Sequence, residues 1–121
     1  MVSMMEELGF RVTIVARNNV ISDLNTLAHI INSCRVFVGD HGAGLTNELF
    51  LPAGAVMVQI ELIGLEWAGT TYYGDPARVM GLHYLPYRIE PEESSLFKVF
   101  GQNHTAFKDP RSFSFEVGRE I

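Results

Sequence analysis

The sequence lacks any surplus of positive charge: 9 Lys and Arg stand against 14 Asp and Glu, a net charge of -5. No window interleaves basic residues with aromatics, so the electrostatic footprint of a nucleic-acid binder is absent. No apolar run reaches the roughly eighteen residues that span a bilayer, and the N-terminus MVSMMEELGF has neither the positive charge nor the apolar core of a signal peptide. The single cysteine, Cys34, has no partner in the chain. An internal disulfide framework is thereby excluded, and Cys34 reads as a small buried hydrophobe. No His, Cys, Asp and Glu cluster has the spacing of a metal site, and no D-x-D string is present to hold a cation between phosphates.

What is present is one core's worth of apolar residues. With 121 residues, 47% of them hydrophobic and 19% charged, one domain is the ceiling. Helix-period and strand-period segments alternate, the pattern of an α/β fold with a parallel sheet and crossover helices. Residues 2–8 read as a helix that stops at Gly9, and Phe10 to Ala16 (FRVTIVA) as a first strand. Ser22 or Asp23 caps a second helix, whose apolar face carries Leu24, Leu27, Ala28, Ile31 and Cys34. Arg35 to Gly39 reads as a strand buried on both faces. Leu45 to Leu51 follows as a short helix that Pro52 ends, and Ala55 to Ile60 as another buried strand. Further on, Asp75-Pro76-Ala77 reads as a helix start, with the helix running through Met80. Tyr84 to Ile89 reads as an edge strand because of Pro86, and a helical turn capped by Ser94 or Ser95 falls near Leu96 to Phe100.

The chemistry belongs where the strand at Arg35 to Gly39 runs into Asp40-His41-Gly42-Ala43-Gly44, because ligands of open α/β sheets collect at the carboxyl ends of strands. Gly39, Gly42 and Gly44 let the backbone bend and approach a ligand, and the amides that open the next helix suit an anion such as a diphosphate. Thr46 and Asn47 add uncharged hydrogen-bonding groups, and His41 can donate to a leaving phosphate. The spacing G-x-x-G-x-G is neither a dinucleotide fingerprint nor a P-loop. The loop alone also fits a tight strand-to-helix turn with a histidine satisfied inside the protein.

The string Val38-Gly39-Asp40-His41-Gly42-Ala43-Gly44-Leu45-Thr46-Asn47, followed by Phe50-Leu51-Pro52 and Gly54-Ala55-Val56-Met57-Val58-Gln59, closely resembles glycosyltransferase family 61. Trp67, Tyr73-Gly74-Asp75-Pro76-Ala77, Met80-Gly81-Leu82-His83-Tyr84 and Glu92-Glu93-Ser94-Ser95-Leu96 match its plant members in order and spacing, from Leu8 to about Pro110. The resemblance implies a GT-B architecture of two Rossmann-like halves, with residues 1–121 forming part of the C-terminal, nucleotide-sugar-binding half around a core of 8–110. It implies an inverting transfer, from a UDP-sugar and preferably a UDP-pentose, to a polysaccharide such as xylan or to a glycoprotein, with no cofactor. It also implies a Golgi type II membrane protein whose anchor and acceptor half lie outside this chain.

On that resemblance the donor site comprises Gly39, Gly42, Ala43, Gly44, Leu45, Thr46 and Asn47, with His41 as the catalytic group. Glu61, Glu92 and Glu93 are the ribose-binding carboxylates to consider, and Trp67, Tyr72 and Tyr73 the aromatics that stack on uracil. Bland readings stand beside these: an acidic helix cap for the Glu92-Glu93 pair and loop packing for the aromatics. His29 and His83 read as structural. Asp40 departs from the family, which has a small apolar residue there, and sets a carboxylate where it can hold His41 protonated. Asn103-His104-Thr105 is a glycosylation sequon. The other functions open to the sequence are a truncated remnant without activity and a small nucleotide-binding α/β module. A half-built sheet is expected to be poorly stable alone.

Overall fold

The computed structural model describes residues 1–15, 23–101 and 103. A short helix, α1 (Val2–Glu7), is stopped as Gly9 predicts: Gly9 takes a positive φ of 88°. The Gly9 amide then donates to Glu6 and the Phe10 amide to Met5, which satisfies the last carbonyls of the helix. The strand expected at Phe10 to Ala16 does not form over residues 10–15, and Ala16 lies outside the described residues. The segment runs beside the sheet but makes no ladder with it, and a cavity of about 730 Å³ separates it from the neighbouring strand and helix. β-Branched composition favours a strand only where a partner edge is within hydrogen-bonding reach.

The second helix, α2 (Leu24–Asn32), is capped by Asp23, whose Oδ1 accepts from the Asn25 amide and whose Oδ2 accepts from the Thr26 hydroxyl. These bonds, the hydroxyl's first, hold the Asp23 carboxyl below its ordinary pKa. Leu27 and Ile31 carry the buried face, while Leu24 is exposed. Three parallel strands follow in the order β1 (Val36–Asp40), β2 (Val56–Glu61), β3 (His83–Arg88). Gly39 pairs with Gln59 and Asp40 with Ile60, while Gln59 pairs with Pro86 and Glu61 with Arg88. All three strands therefore end on one side, at Asp40, Glu61 and Arg88.

Among the described residues β3 is an edge of the sheet, as Pro86 predicts. The amides of His83 and Ile89 donate to Ala55 and Glu61. Alternation along the strand thus aims position 86 away from β2, where a missing N–H costs no ladder bond.

A 3₁₀ helix (Ala43–Phe50) joins β1 to β2 and ends at Leu51, which is extended before Pro52. The connection from β2 to β3 is helical from Glu66 to Val79: α3 (Glu66–Gly69), a π-helical stretch (Thr70–Gly74) and α4 (Asp75–Val79). Asp75 is thus not the helix start that the sequence suggested, since Gly74 before it is already helical. Pro76 has no amide to offer the preceding turn and its ring crowds that turn's carbonyl, which accounts for the widened π stretch before it. A 3₁₀ turn (Pro91–Glu93) and α5 (Ser95–Phe100) close the described chain, with the Phe97 amide donating to the Ser94 carbonyl.

The register sets Met57, Gln59, Glu61, Tyr84 and Gly39 on one face, and the core of Leu27, Ile31, Leu45, Leu51, Ala55, Met57, Ala77, Leu82 and Tyr84 forms there. On the other face Val36, Val38, Val58 and Ile60 are only half-buried, and Leu85 and Tyr87 are about half exposed. The strand at 36–40 is therefore not buried on both faces as its composition suggested, because the described helices cover one face only. No helix among the described residues is long and apolar enough to cross a membrane.

Candidate functional site

The glycine-rich turn leaves the carboxyl end of β1, where the His41 amide makes a last sheet bond to the Ile60 carbonyl. The 3₁₀ helix then opens with the Leu45 amide donating to the Gly42 carbonyl. No backbone carbonyl among the described residues accepts from the amides of Gly42, Ala43 or Gly44. Ala43 and Gly44 are exposed, and a Cβ built at Gly42 or Gly44 would meet nothing within 4 Å. Unpaired amides at the start of a helical segment carry partial positive charge and suit an anion. Gly39 answers a different need. A Cβ there would lie 2.7 Å from Leu45 Cδ2, so this glycine lets the 3₁₀ helix sit down on β1.

Leu45 itself is buried in the core with its amide already bonded, which makes it an anchor of the turn and removes it from the set facing a ligand. Asn47 folds back, its Nδ2 donating to the Gly44 carbonyl, and Thr46 is exposed.

His41 is held from behind. Its Nδ1 lies 2.7 Å from Nε2 of Gln59, a fully buried side chain, and its ring meets the edge of Tyr73 at 5.5 Å between centroids. The Tyr84 hydroxyl lies 2.9 Å from Gln59 Oε1 and 3.1 Å from Glu61 Oε1. Arg88 Nε lies 3.4 Å from Glu61 Oε2. A polar chain thus runs from the turn through the interior to the ends of β2 and β3. Burial, helped by the Glu61 carboxylate, pushes the Tyr84 phenol well above its ordinary pKa and keeps it a hydrogen-bond donor. Glycines make room for the chain. A Cβ at Gly69 would lie 2.8 Å from Glu61 Oε1 and 2.9 Å from Gln59 Nε2, and one at Gly74 would lie 2.7 Å from the Tyr84 ring.

Asp40 does not take the part the sequence suggested. It makes no ion pair with His41, whose Nδ1 faces Gln59 instead. Glu61 is 1% exposed and covered by Gly69, which sets its carboxylate inside the protein rather than on an open rim where a ribose would lie. Glu93 is spent on its own turn: it accepts from the Glu90 amide in a capping box and from the Tyr87 hydroxyl, and that hydroxyl holds its pKa low. Glu92 is exposed. Of the aromatics, Tyr73 touches His41, whereas Trp67 and Tyr72 are exposed and meet each other edge-on at 6.0 Å. His29 and His83 are exposed on α2 and β3, away from the polar chain. Cys34 is partly buried, its Sγ donating to the Ile30 carbonyl. Of the sequon only Asn103 is described.

Sequence reasoning missed Gln59 and Tyr84, and it also missed Glu48, whose side chain is 3% exposed on the 3₁₀ helix. One Glu48 oxygen, Oε2, has no hydrogen-bond partner among the described residues, and burial raises its pKa to about 7. No group of three or more His, Cys, Asp or Glu among the described residues could hold a metal ion.

Comparison with known proteins gives the family context. The chain is 47% identical over 113 residues to an alpha-1,3-arabinosyltransferase of Oryza sativa subsp. japonica, a match that covers 93% of this chain and 19% of the relative. It is 45% identical over 107 residues to a beta-1,2-xylosyltransferase of the same organism, covering 88% of this chain and 18% of the relative. It is 34% identical over 92 residues to the EGF domain-specific O-linked N-acetylglucosamine transferase of Bos taurus, covering 73% of this chain and 16% of the relative. The chain thus spans less than a fifth of the length of these curated relatives. No family model and no solved structure matches it.

Proposed function

This chain is a homologue of the plant xylan arabinosyl- and xylosyltransferases of the family-61 type, and from that premise we propose that it is the donor-binding part of an inverting glycosyltransferase. Residues 1–121 belong to the C-terminal half of a GT-B enzyme, and the donor is a UDP-sugar, preferably a UDP-pentose. The acceptor is a polysaccharide such as xylan, with a glycoprotein as the other class to which relatives point. The whole protein works on the lumenal side of the Golgi.

In this reading the diphosphate lies on the Ala43 and Gly44 amides, within reach of the side chains of Thr46 and Asn47. His41 donates from its other ring nitrogen to the departing diphosphate and stabilises the charge that grows there as the bond from the anomeric carbon to the diphosphate oxygen breaks and the bond to the acceptor oxygen forms. The base that activates the acceptor hydroxyl comes from elsewhere in the protein. Glu92 is the remaining ribose candidate, since Glu61 and Glu93 are engaged within the protein. The reading needs no cofactor. What supports it is a pair of exposed, unpaired amides beside a histidine braced from behind. The test is a transfer assay on the whole protein carrying this chain, with UDP-xylose or UDP-arabinose and xylo-oligosaccharide. Transfer is expected to fall about 100-fold or more in His41→Ala, the scale of losing one charge-stabilising donor. Full activity of that variant would remove His41 from the reaction.

A further inference from the structure

The polar chain behind His41 has more order than a satisfied core histidine requires. Gln59 is fully buried and Tyr84 nearly so, and each has the other within hydrogen-bonding distance. A primary amide has a donor end and an acceptor end, so its orientation dictates which protonation form of the imidazole can face it. If the nitrogen faces His41, Nδ1 must accept and the proton sits on Nε2. If the oxygen faces His41, Nδ1 must carry a proton.

Two features fix the orientation with the nitrogen toward His41. The first is Tyr84, whose hydroxyl is kept protonated by its burial and whose one proton is shared between Gln59 Oε1 at 2.9 Å and Glu61 Oε1 at 3.1 Å, the nearer of the two being Gln59. The second is the notch at Gly69. Gln59 Nε2 and Glu61 Oε1 flank the same point, within 3 Å of where a Cβ at Gly69 would stand. An amide nitrogen beside a carboxylate oxygen is attracted to it, whereas an amide oxygen in that place would be repelled, and low polarizability of the interior enlarges the difference. Gly69 is what permits the arrangement, since any larger residue would collide with both groups.

Resting on the donor-site reading for its consequence, we infer that Gln59, locked by Tyr84 and Glu61, is a positioning residue that holds His41 as the Nε2–H tautomer. His41 then meets the diphosphate as a neutral hydrogen-bond donor whose donating nitrogen is fixed before the ligand arrives, which spares reorganisation when charge develops. Asp40, adjacent in sequence, is not the group that sets the protonation of the ring.

The test is ¹⁵N nuclear magnetic resonance of the histidine-labelled full chain at pH 8, with the His41 signals identified by their loss in His41→Ala. The expected result is a single tautomer protonated at Nε2 in the unaltered chain. Gln59→Leu, which leaves Tyr84 its bond to Glu61, is expected to release a mixture of both tautomers. It should also weaken UDP binding about fivefold, the equivalent of one neutral hydrogen bond. Gln59→Glu, of nearly the same shape, is expected to place a proton on Nδ1. Tyr84→Phe keeps the fold's apolar contacts and frees the amide to turn, so it too should mix the tautomers. A proton on Nδ1 in the unaltered chain would overturn the inference, and so would an unchanged tautomer in both Gln59→Leu and Tyr84→Phe. UDP titration of the same samples separates the two claims. An Nε2–H ring without UDP binding sinks the donor site alone, and UDP binding with Nδ1–H sinks the positioning role alone.

Discussion

Glu48 shows how a single residue escapes a sequence reading. Taken as an α-helix, the segment after the glycines aligns Leu45 with Leu49, yet Leu49 is exposed and Glu48 is buried. The 3₁₀ form has three residues per turn, so positions 45, 48 and 51 share a face, and all three are buried. A carboxyl carried inward in this way has a pKa near 7 in the folded chain against 4.5 as the ordinary value. The folded state therefore binds its proton more tightly than the unfolded state between those two values. That contribution to stability is fully present below about pH 4.5 and declines as pH rises towards 7, by about 3 kcal/mol. Chemical denaturation of the chain from pH 5 to 8 is expected to show this decline, and Glu48→Gln is expected to flatten it. A slope that survives in Glu48→Gln would assign the proton to another group. Gln59 and Tyr84 were illegible for a different reason. Each looks like an ordinary strand residue until the β2 and β3 register brings them together across twenty-five positions of sequence.

At the scale of elements, local chemistry fixed the ends better than the partners. The cap of α2 at Asp23, the stop at Gly9, the break at Pro52 and the edge position of Pro86 follow from side-chain hydrogen bonding, positive φ and the missing proline amide. The segment at 10–15 failed because a strand needs a neighbour, which composition cannot supply. The helix over Glu66 to Val79 was legible only in its last turn, since its first half carries glycines and threonines of poor helical propensity. Those glycines are there for contact. Gly74→Ala would drive a Cβ into the Tyr84 ring, which is itself bonded to Gln59 and Glu61 and so cannot turn aside freely. The expected loss is about 1–3 kcal/mol, the usual cost of overpacking. It would appear as a lower denaturation midpoint with unchanged slope, and an unshifted midpoint would mean that the π stretch yields easily.

For the whole molecule, the three-stranded parallel sheet was legible in its class and in the place of its glycine turn. The coverage of its faces was not, because burial depends on what lies beyond any one segment. Val36, Val38, Val58, Ile60, Leu85 and Tyr87 form a half-covered apolar face, and β1 presents an edge beside the cavity. Surfaces of this kind drive association. The isolated chain is expected to sediment as larger species as its concentration rises, while a monomer that stays monodisperse at every concentration would contradict this. The most direct test of the central claim is amide chemical-shift mapping of the chain with UDP and, separately, with uridine. If the turn after Gly42 grips a diphosphate, UDP shifts the Ala43 and Gly44 amides in a saturable way and uridine leaves them in place. If UDP leaves both amides unmoved, or if uridine shifts them equally, the donor site lies elsewhere.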